Sequence, residues 1–151
     1  VEFVERTNCD MLAVAIGTSH GVYKFPRATR ASHQVPRLRL ELLDMLQRLV
    51  DVPLVLHGAS SISQEHIATI KKYGLGIGDA IGVGDRDIRA AIQLGICKIN
   101  VDTDLQLAMI TSILDGFKKR PKEMKLYTIL GHARDAMEEE VIRHIKLFSG
   151  R

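Results

Sequence analysis

Three short apolar runs, each closing on small or polar residues, constrain this chain more than any other feature. The first, Leu12 to Ile16, leads through Gly17, Thr18 and Ser19 to His20 and Gly21. The second, Leu54 to Leu56, leads directly into His57, Gly58, Ala59 and Ser60. The third, Ile96 to Val101, carries Asn100 and ends at Asp102 and Thr103. The continuous run from Met11 to Ile16 is the pattern of a strand buried on both faces of a parallel sheet. Helical patterns separate the runs. Leu38, Leu42, Met45, Leu46 and Leu49 predict a helix from Leu38 to Val50. Ser63 is the expected N-cap of a helix through Tyr73, and Asp85 of one reaching Leu94. Asp102 or Thr103 opens a longer helix through Phe117. A final helix is expected from Ala133 to Phe148, its apolar face made of Ala136, Met137, Val141, Ile145 and Leu147. Residues 1–8 read as the end of a helix, with Asn8 in the left-handed cap position. Strands alternating with helices predict an α/β fold with a parallel sheet and right-handed crossovers.

Composition removes several function classes. A chain of 151 residues with 46% hydrophobic content supports a single domain with a real core. The net charge is only +3, and the one cluster of cations is Arg27, Arg30, Arg37 and Arg39 in a loop-like stretch. Nucleic-acid binding wants a basic patch with interleaved aromatics, and aromatics are 5% here, so no nucleic-acid partner is expected. Cys9 and Cys97 are isolated, which fits a reduced, cytoplasmic protein. No apolar run approaches the roughly 18 residues of a membrane helix, and no signal peptide is visible. The chain starts at Val1 rather than Met, so an upstream segment is expected.

The chemistry-bearing residues gather at the strand ends, where α/β folds place their sites. His20 and His57 at consecutive strand ends lie within reach of one metal, and neutral imidazole is the commonest metal ligand. Two imidazoles do not define a site, and two unrelated strand-end histidines bonded to nearby loops remain the other reading. No third ligand is evident. His33 lies in a loop, and His66, His132 and His144 lie on or beside helices. Gly17, Gly21, Gly58, Ser60 and Ser61 would leave backbone amides at strand-to-loop corners, and Thr103 and Asp104 open a helix N-terminus. Such features bind phosphate, with Lys24 as an added cation, but glycines also simply make tight turns. Asn100 and Asp102 alternate with Ile99 and Val101, so both face one side and suit substrate hydroxyls; helix capping by Asp102 is the alternative. The glycine-rich stretch from Gly74 to Gly84 follows a helix rather than a strand, and lacks both the spacing of a dinucleotide fingerprint and a P-loop lysine.

Together these motifs, in this order, resemble the class II (zinc-dependent) fructose-bisphosphate aldolases and their tagatose-bisphosphate relatives. The stretch from Leu130 to Met137 is similar to the family's final helix, and the resemblance covers essentially the whole chain. It implies a partial (β/α)8 TIM barrel, with the three runs as strands six, seven and eight of a fold of about 250 residues or more. Residues 1–151 would then be the C-terminal part of one barrel domain, with no second domain. The resemblance further implies Zn2+ on His20 and His57, and dihydroxyacetone phosphate on Gly21, Lys24, Gly58, Ser60, Asn100, Asp102 and Thr103. Carbonyls near His20 and Gly58 match a site for a monovalent cation, Na+ or K+. The implied activity is reversible aldol cleavage of a ketose bisphosphate to dihydroxyacetone phosphate and an aldehyde such as glyceraldehyde 3-phosphate. Zinc would act as Lewis acid on the carbonyl and stabilise the enediolate.

The resemblance also implies a homo-oligomer, an N-terminal half-barrel that completes the site, and a proton-donor aspartate and third zinc histidine upstream of Val1. No catalytic acid is therefore expected in this chain. Gln106 and Tyr127 stand where fructose-bisphosphate members often carry arginines associated with the second phosphate. That departure, with the missing acid, supports the competing expectation of a non-catalytic phosphate-binding remnant or interaction module.

Overall fold

A computed structural model describes residues 1–19, 37–77, 80–123 and 125–150. His20, Gly21, Lys24 and the loop expected over residues 25–36 lie outside the described residues. In chain order the elements are α1 (Glu2–Thr7), β1 (Leu12–Val14), α2 (Leu40–Leu49), β2 (Leu54–Leu56), α3 (Gln64–Lys72), α4 (Asp85–Gln93), β3 (Ile96–Ile99), α5 (Thr103–Lys119) and α6 (Leu126–Phe148).

The strands form a parallel sheet in the order β1-β2-β3. Leu12, Ala13 and Val14 pair with Leu54, Val55 and Leu56. Leu54, Val55 and Leu56 in turn pair with Ile96, Lys98 and Ile99, which leaves Cys97 as an extra residue in a bulge. The bulge explains why Cys97, expected inside a buried strand, is exposed. Central β2 is buried along its length, as its Val/Leu run predicts. The edge strand β1 is not buried on both faces, because Ala13 is exposed.

One face of the sheet packs against helices. Leu12, Val14, Leu54, Leu56, Ile96 and Ile99 form a core with Leu43 and Val50 from around α2, Ile88 and Ala91 of α4, and Leu147 of α6. A second cluster joins Ile67 and Ile70 of α3 to Leu107 of α5 through Ile62 and Ala80. Asn8 ends α1 in the left-handed conformation, as its side chain favours. Gly95, at φ +97°, turns the chain from α4 into β3.

Three expectations about the helices change. Gly84, not Asp85, occupies the N-cap of α4, which frees the Asp85 carboxylate to meet Arg143 at 3.5 Å. Helix α6 starts at Leu126, seven residues before Ala133. Gly131 does not interrupt it, because buried Ile129 and Ala133 on either side hold the turn against α5 and outweigh glycine's poor propensity. The buried face of α6 is also rotated. Val141 and Ile145 are exposed (41% and 60%), while Glu140, His144 and Leu147 are buried.

Candidate active site

The parallel ladder continues one residue past β2 and β3, which fixes the geometry of those strand ends. The His57 amide donates to the Val14 carbonyl at 2.9 Å, and the Asn100 amide to the Leu56 carbonyl at 3.2 Å. Ala13, Val55 and Lys98 are in register on the face opposite the helix-packed core. Side chains alternate along a strand, so His57 and Asn100 fall on that same face, two residues beyond Val55 and Lys98. The Lys98 ammonium donates to the Asn100 side-chain oxygen, consistent with one shared face.

The end of β1 is drawn onto the end of β2. Thr18 Oγ1 donates to the His57 carbonyl at 3.0 Å. Gly58 has φ +66°, and a Cβ there would meet the Ser19 carbonyl at 2.8 Å and Thr18 Oγ1 at 2.9 Å. Only glycine allows both the turn and this approach. Ser19, the residue before His20, therefore lies against the turn that follows His57.

The third strand end closes onto the second. Asp102 shows no side-chain cap bond to α5; both of its carboxylate oxygens instead accept from Gln106 Nε2, at 2.9 and 3.0 Å. Gln106, which stands where an arginine was expected, thus holds Asp102 from one turn along the helix. The Asp102 amide donates to Ser60 Oγ at 3.5 Å. Ser60 and Thr103 are both buried. His57, Gly58, Ser60, Asn100, Asp102 and Thr103 thus meet where the ends of β2 and β3 adjoin.

Ser61 and Asp104 play a different part from the one read for them. The amides of Ser61 and Ile62 donate to the two oxygens of Asp104, at 2.8 and 2.6 Å, so they are not offered to an external phosphate. Asp104 is fully buried, and its Oδ2 also lies 3.2 Å from His144 Nε2. Glu140 joins through its side chain, 3.3 Å from His144 Nδ1. Arg143 donates to Glu140 at 2.8 Å and to Ser61 Oγ at 2.5 Å. Its side chain lines a cleft of about 520 Å³ beside the N-termini of α3 and α4. Asp104, Glu140 and His144 place ligand atoms within 4.8 Å of one another, a spacing a metal could use. Their atoms are already engaged by two amides, a guanidinium and each other, so the arrangement works as a clamp between α5, α6 and the loop after β2.

The clamp sets its own protonation. Burial pushes the Asp104 carboxyl up, but the bonds from His144 and from the Ser61 and Ile62 amides outweigh it and leave it below its ordinary 3.8. Burial pushes the His144 imidazole down, but the bonds to Asp104 and to the Glu140 carbonyl prevail and raise it above its ordinary 6.5. Only the i, i+4 spacing of Glu140 and His144 on α6 signalled this group in the sequence. The identity of the partner of His144, 40 residues upstream in Asp104, is a tertiary fact.

A parallel sheet with helices on one face, and with an imidazole, an amide and a carboxylate at adjoining strand ends, is an α/β arrangement of the kind that places its sites beyond those ends. The chain belongs to the class-II fructose-bisphosphate aldolase family, whose model matches residues 1–151. That family is one of lyases and is generally metal-dependent. A fructose-bisphosphate aldolase of Thermus caldophilus is 46% identical over 146 residues, covering 97% of this chain and 46% of its own length. One from Giardia intestinalis is 43% identical over 147 residues, covering 97% of this chain and 44% of its own length. The crystal structure of the YdjI aldolase from Escherichia coli K12 superposes with a TM-score of 0.65 at 37% identity, over 97% of this chain and 42% of that one. The chain therefore spans just under half the length of these relatives. Among the described residues, no helix is long and apolar enough to cross a membrane.

Proposed function

We propose that this chain forms strands six to eight of a (β/α)8 barrel in a zinc-dependent ketose-bisphosphate aldolase, and carries most of its dihydroxyacetone phosphate cradle. The observation that supports this best is the convergence of His57, Gly58 and Asn100 at adjoining strand ends, on the face not taken by helices. Thr18 and Ser19 pack beside them.

The residues fit the metal. His57 is a half-buried nitrogen donor on a backbone fixed by β1, and nitrogen donors suit zinc. His20, next to Ser19 in sequence, is the second donor in this reading, and a third comes from the part of the barrel outside this chain. When bound, zinc supplies Lewis-acid polarisation of the ketose carbonyl. The chain's own groups do the rest. Asn100 and Asp102 hold the hydroxyls of the three-carbon unit, with Asp102 oriented by Gln106. Gly21, Lys24, Gly58, Ser60 and Thr103 hold its phosphate, by small residues, a cation and the start of α5. Carbonyls around His20 and Gly58 hold the monovalent cation. The proton needed at the leaving carbon comes from a carboxyl outside this chain. The working protein is a cytoplasmic homo-oligomer acting on small sugar phosphates.

The test is aldol cleavage with zinc, assayed on this chain with and without a complementing N-terminal half-barrel. Cleavage of fructose or tagatose 1,6-bisphosphate only by the completed, zinc-loaded protein is the expected result. A completed barrel that binds zinc but cleaves no ketose phosphate would leave the non-catalytic reading in its place. Gln106 offers an amide where an arginine would grip a second phosphate, so Gln106→Arg should lower KM for the bisphosphate about tenfold without raising kcat.

A further inference from the structure

We propose that His144 is a positioning residue. Through Asp104 it fixes the amides of Ser61 and Ile62, and with them the Gly58–Ser61 turn. What that turn binds rests on the reading under Proposed function; how it is held does not.

The ring nitrogens of His144 have unequal neighbours but equal needs. Nδ1 lies 2.9 Å from the Glu140 carbonyl and 3.3 Å from a Glu140 carboxylate oxygen. Both are acceptors, so Nδ1 carries a proton. Nε2 lies 3.2 Å from Asp104 Oδ2, whose carboxylate already accepts from two backbone amides. An attractive contact there requires a proton on Nε2 as well. The ring lies between two carboxylates, which favour its imidazolium form. The groups around it are Asp104 of α5, Glu140 and Arg143 of α6 and, through Arg143, Asp85 of α4. Arg143 Nη2 lies 3.2 Å from Nε2 and opposes the charge, but Glu140 and Asp85 draw the guanidinium away. The edge of Phe148 covers the ring at 5.4 Å between centroids.

The loop needs such a hold. Ile62 sits at φ +52°, a conformation that a β-branched residue rarely adopts. Strain of this kind persists only where the surroundings over-determine it. The Ile62 amide is tied to Asp104 at 2.6 Å, its side chain is buried, and the Ser61 carbonyl presses on Gly82, where a Cβ would lie 1.9 Å away. Asp104 is the tie, and His144 keeps it charged and aimed.

The test uses the intact protein, with His144→Gln and Asp104→Asn variants, and reads amide exchange over residues 58–63 beside steady-state kinetics and inhibition by inorganic phosphate. His144→Gln should speed exchange in that segment about tenfold or more while leaving β2 and α2 unchanged. KM for the sugar phosphate and Ki for phosphate should both rise about five- to tenfold, with kcat within about twofold. The unmutated protein provides a check that needs no variant: exchange in the segment, corrected for intrinsic pH dependence, should accelerate as pH rises through the His144 pKa, and His144→Gln should abolish that step. Unchanged exchange in both variants, or no such step in the unmutated protein, overturns the proposal. Faster exchange with unchanged KM and Ki upholds the hold on the loop and overturns the phosphate reading of the Gly58–Ser61 turn instead.

Discussion

Asp104 ties the loop after β2 to the start of α5. It takes the amides of Ser61 and Ile62 and faces His144 while fully buried. Removing one partner of a buried charge pair leaves the other uncompensated, so Asp104→Ala should lower stability by about 3–5 kcal/mol in urea unfolding. Gly82 is under a steric constraint. A Cβ there would fall 1.9 Å from the Ser61 carbonyl oxygen, and that oxygen is backbone. Gly82→Ala must move the loop, and thermal unfolding should register a loss of about 1–3 kcal/mol. Gly74→Ala, where a Cβ would meet nothing within 4 Å but φ is +75°, should lose less, by backbone strain alone. Gly82 was legible in the sequence only as one glycine of a rejected nucleotide motif, because its reason is contact with a carbonyl 21 residues upstream.

Helix α6 shows how an element can be foreseen while its orientation is missed. Hydrophobic periodicity pointed to a face through Val141 and Ile145, yet the side turned inward carries Glu140 and His144. Two charged residues read as a solvated stripe when the buried carboxylate they meet lies on another helix. Ile145→Ser should therefore change stability by less than about 0.5 kcal/mol in this chain, and Leu147→Ala should cost about 2–5 kcal/mol. The clamp also sets a pH window. His144 has a raised pKa, so its contribution is complete below the ordinary 6.5 and fades as pH rises through the higher folded value. Asp104 has a lowered pKa, so its contribution is complete above the ordinary 3.8 and fades as pH falls through the lower folded value. Unfolding free energy from this pair should be flat between those ordinary values and decline on both sides, and Asp104→Asn should flatten both declines.

At the scale of the whole molecule, the parallel pairing and the order of strands and helices along the chain were legible, because both depend on local pattern and on the alternation of strand with helix. Strand ends that hold His57, Asn100 and Asp102 were legible for the same reason. The clamp was not, since it joins residues distant in sequence whose types alone suggest solvent. The sheet presents β1 and β3 as edges among the described residues, and Val141, Ile142 and Ile145 leave an apolar stripe on α6. Open edges and apolar stripes favour association. The chain on its own should therefore run as oligomers in light scattering, whereas a monodisperse monomer with one cooperative transition would contradict a partial barrel.

If the strand ends form part of a zinc site for aldol chemistry, His57→Ala in the zinc-loaded, barrel-complete protein must lose both metal and turnover. Zinc content by atomic emission and cleavage of ketose bisphosphate should fall together, cleavage by about a thousandfold or more. Full zinc occupancy with cleavage unchanged in His57→Ala would contradict a catalytic zinc on this strand end.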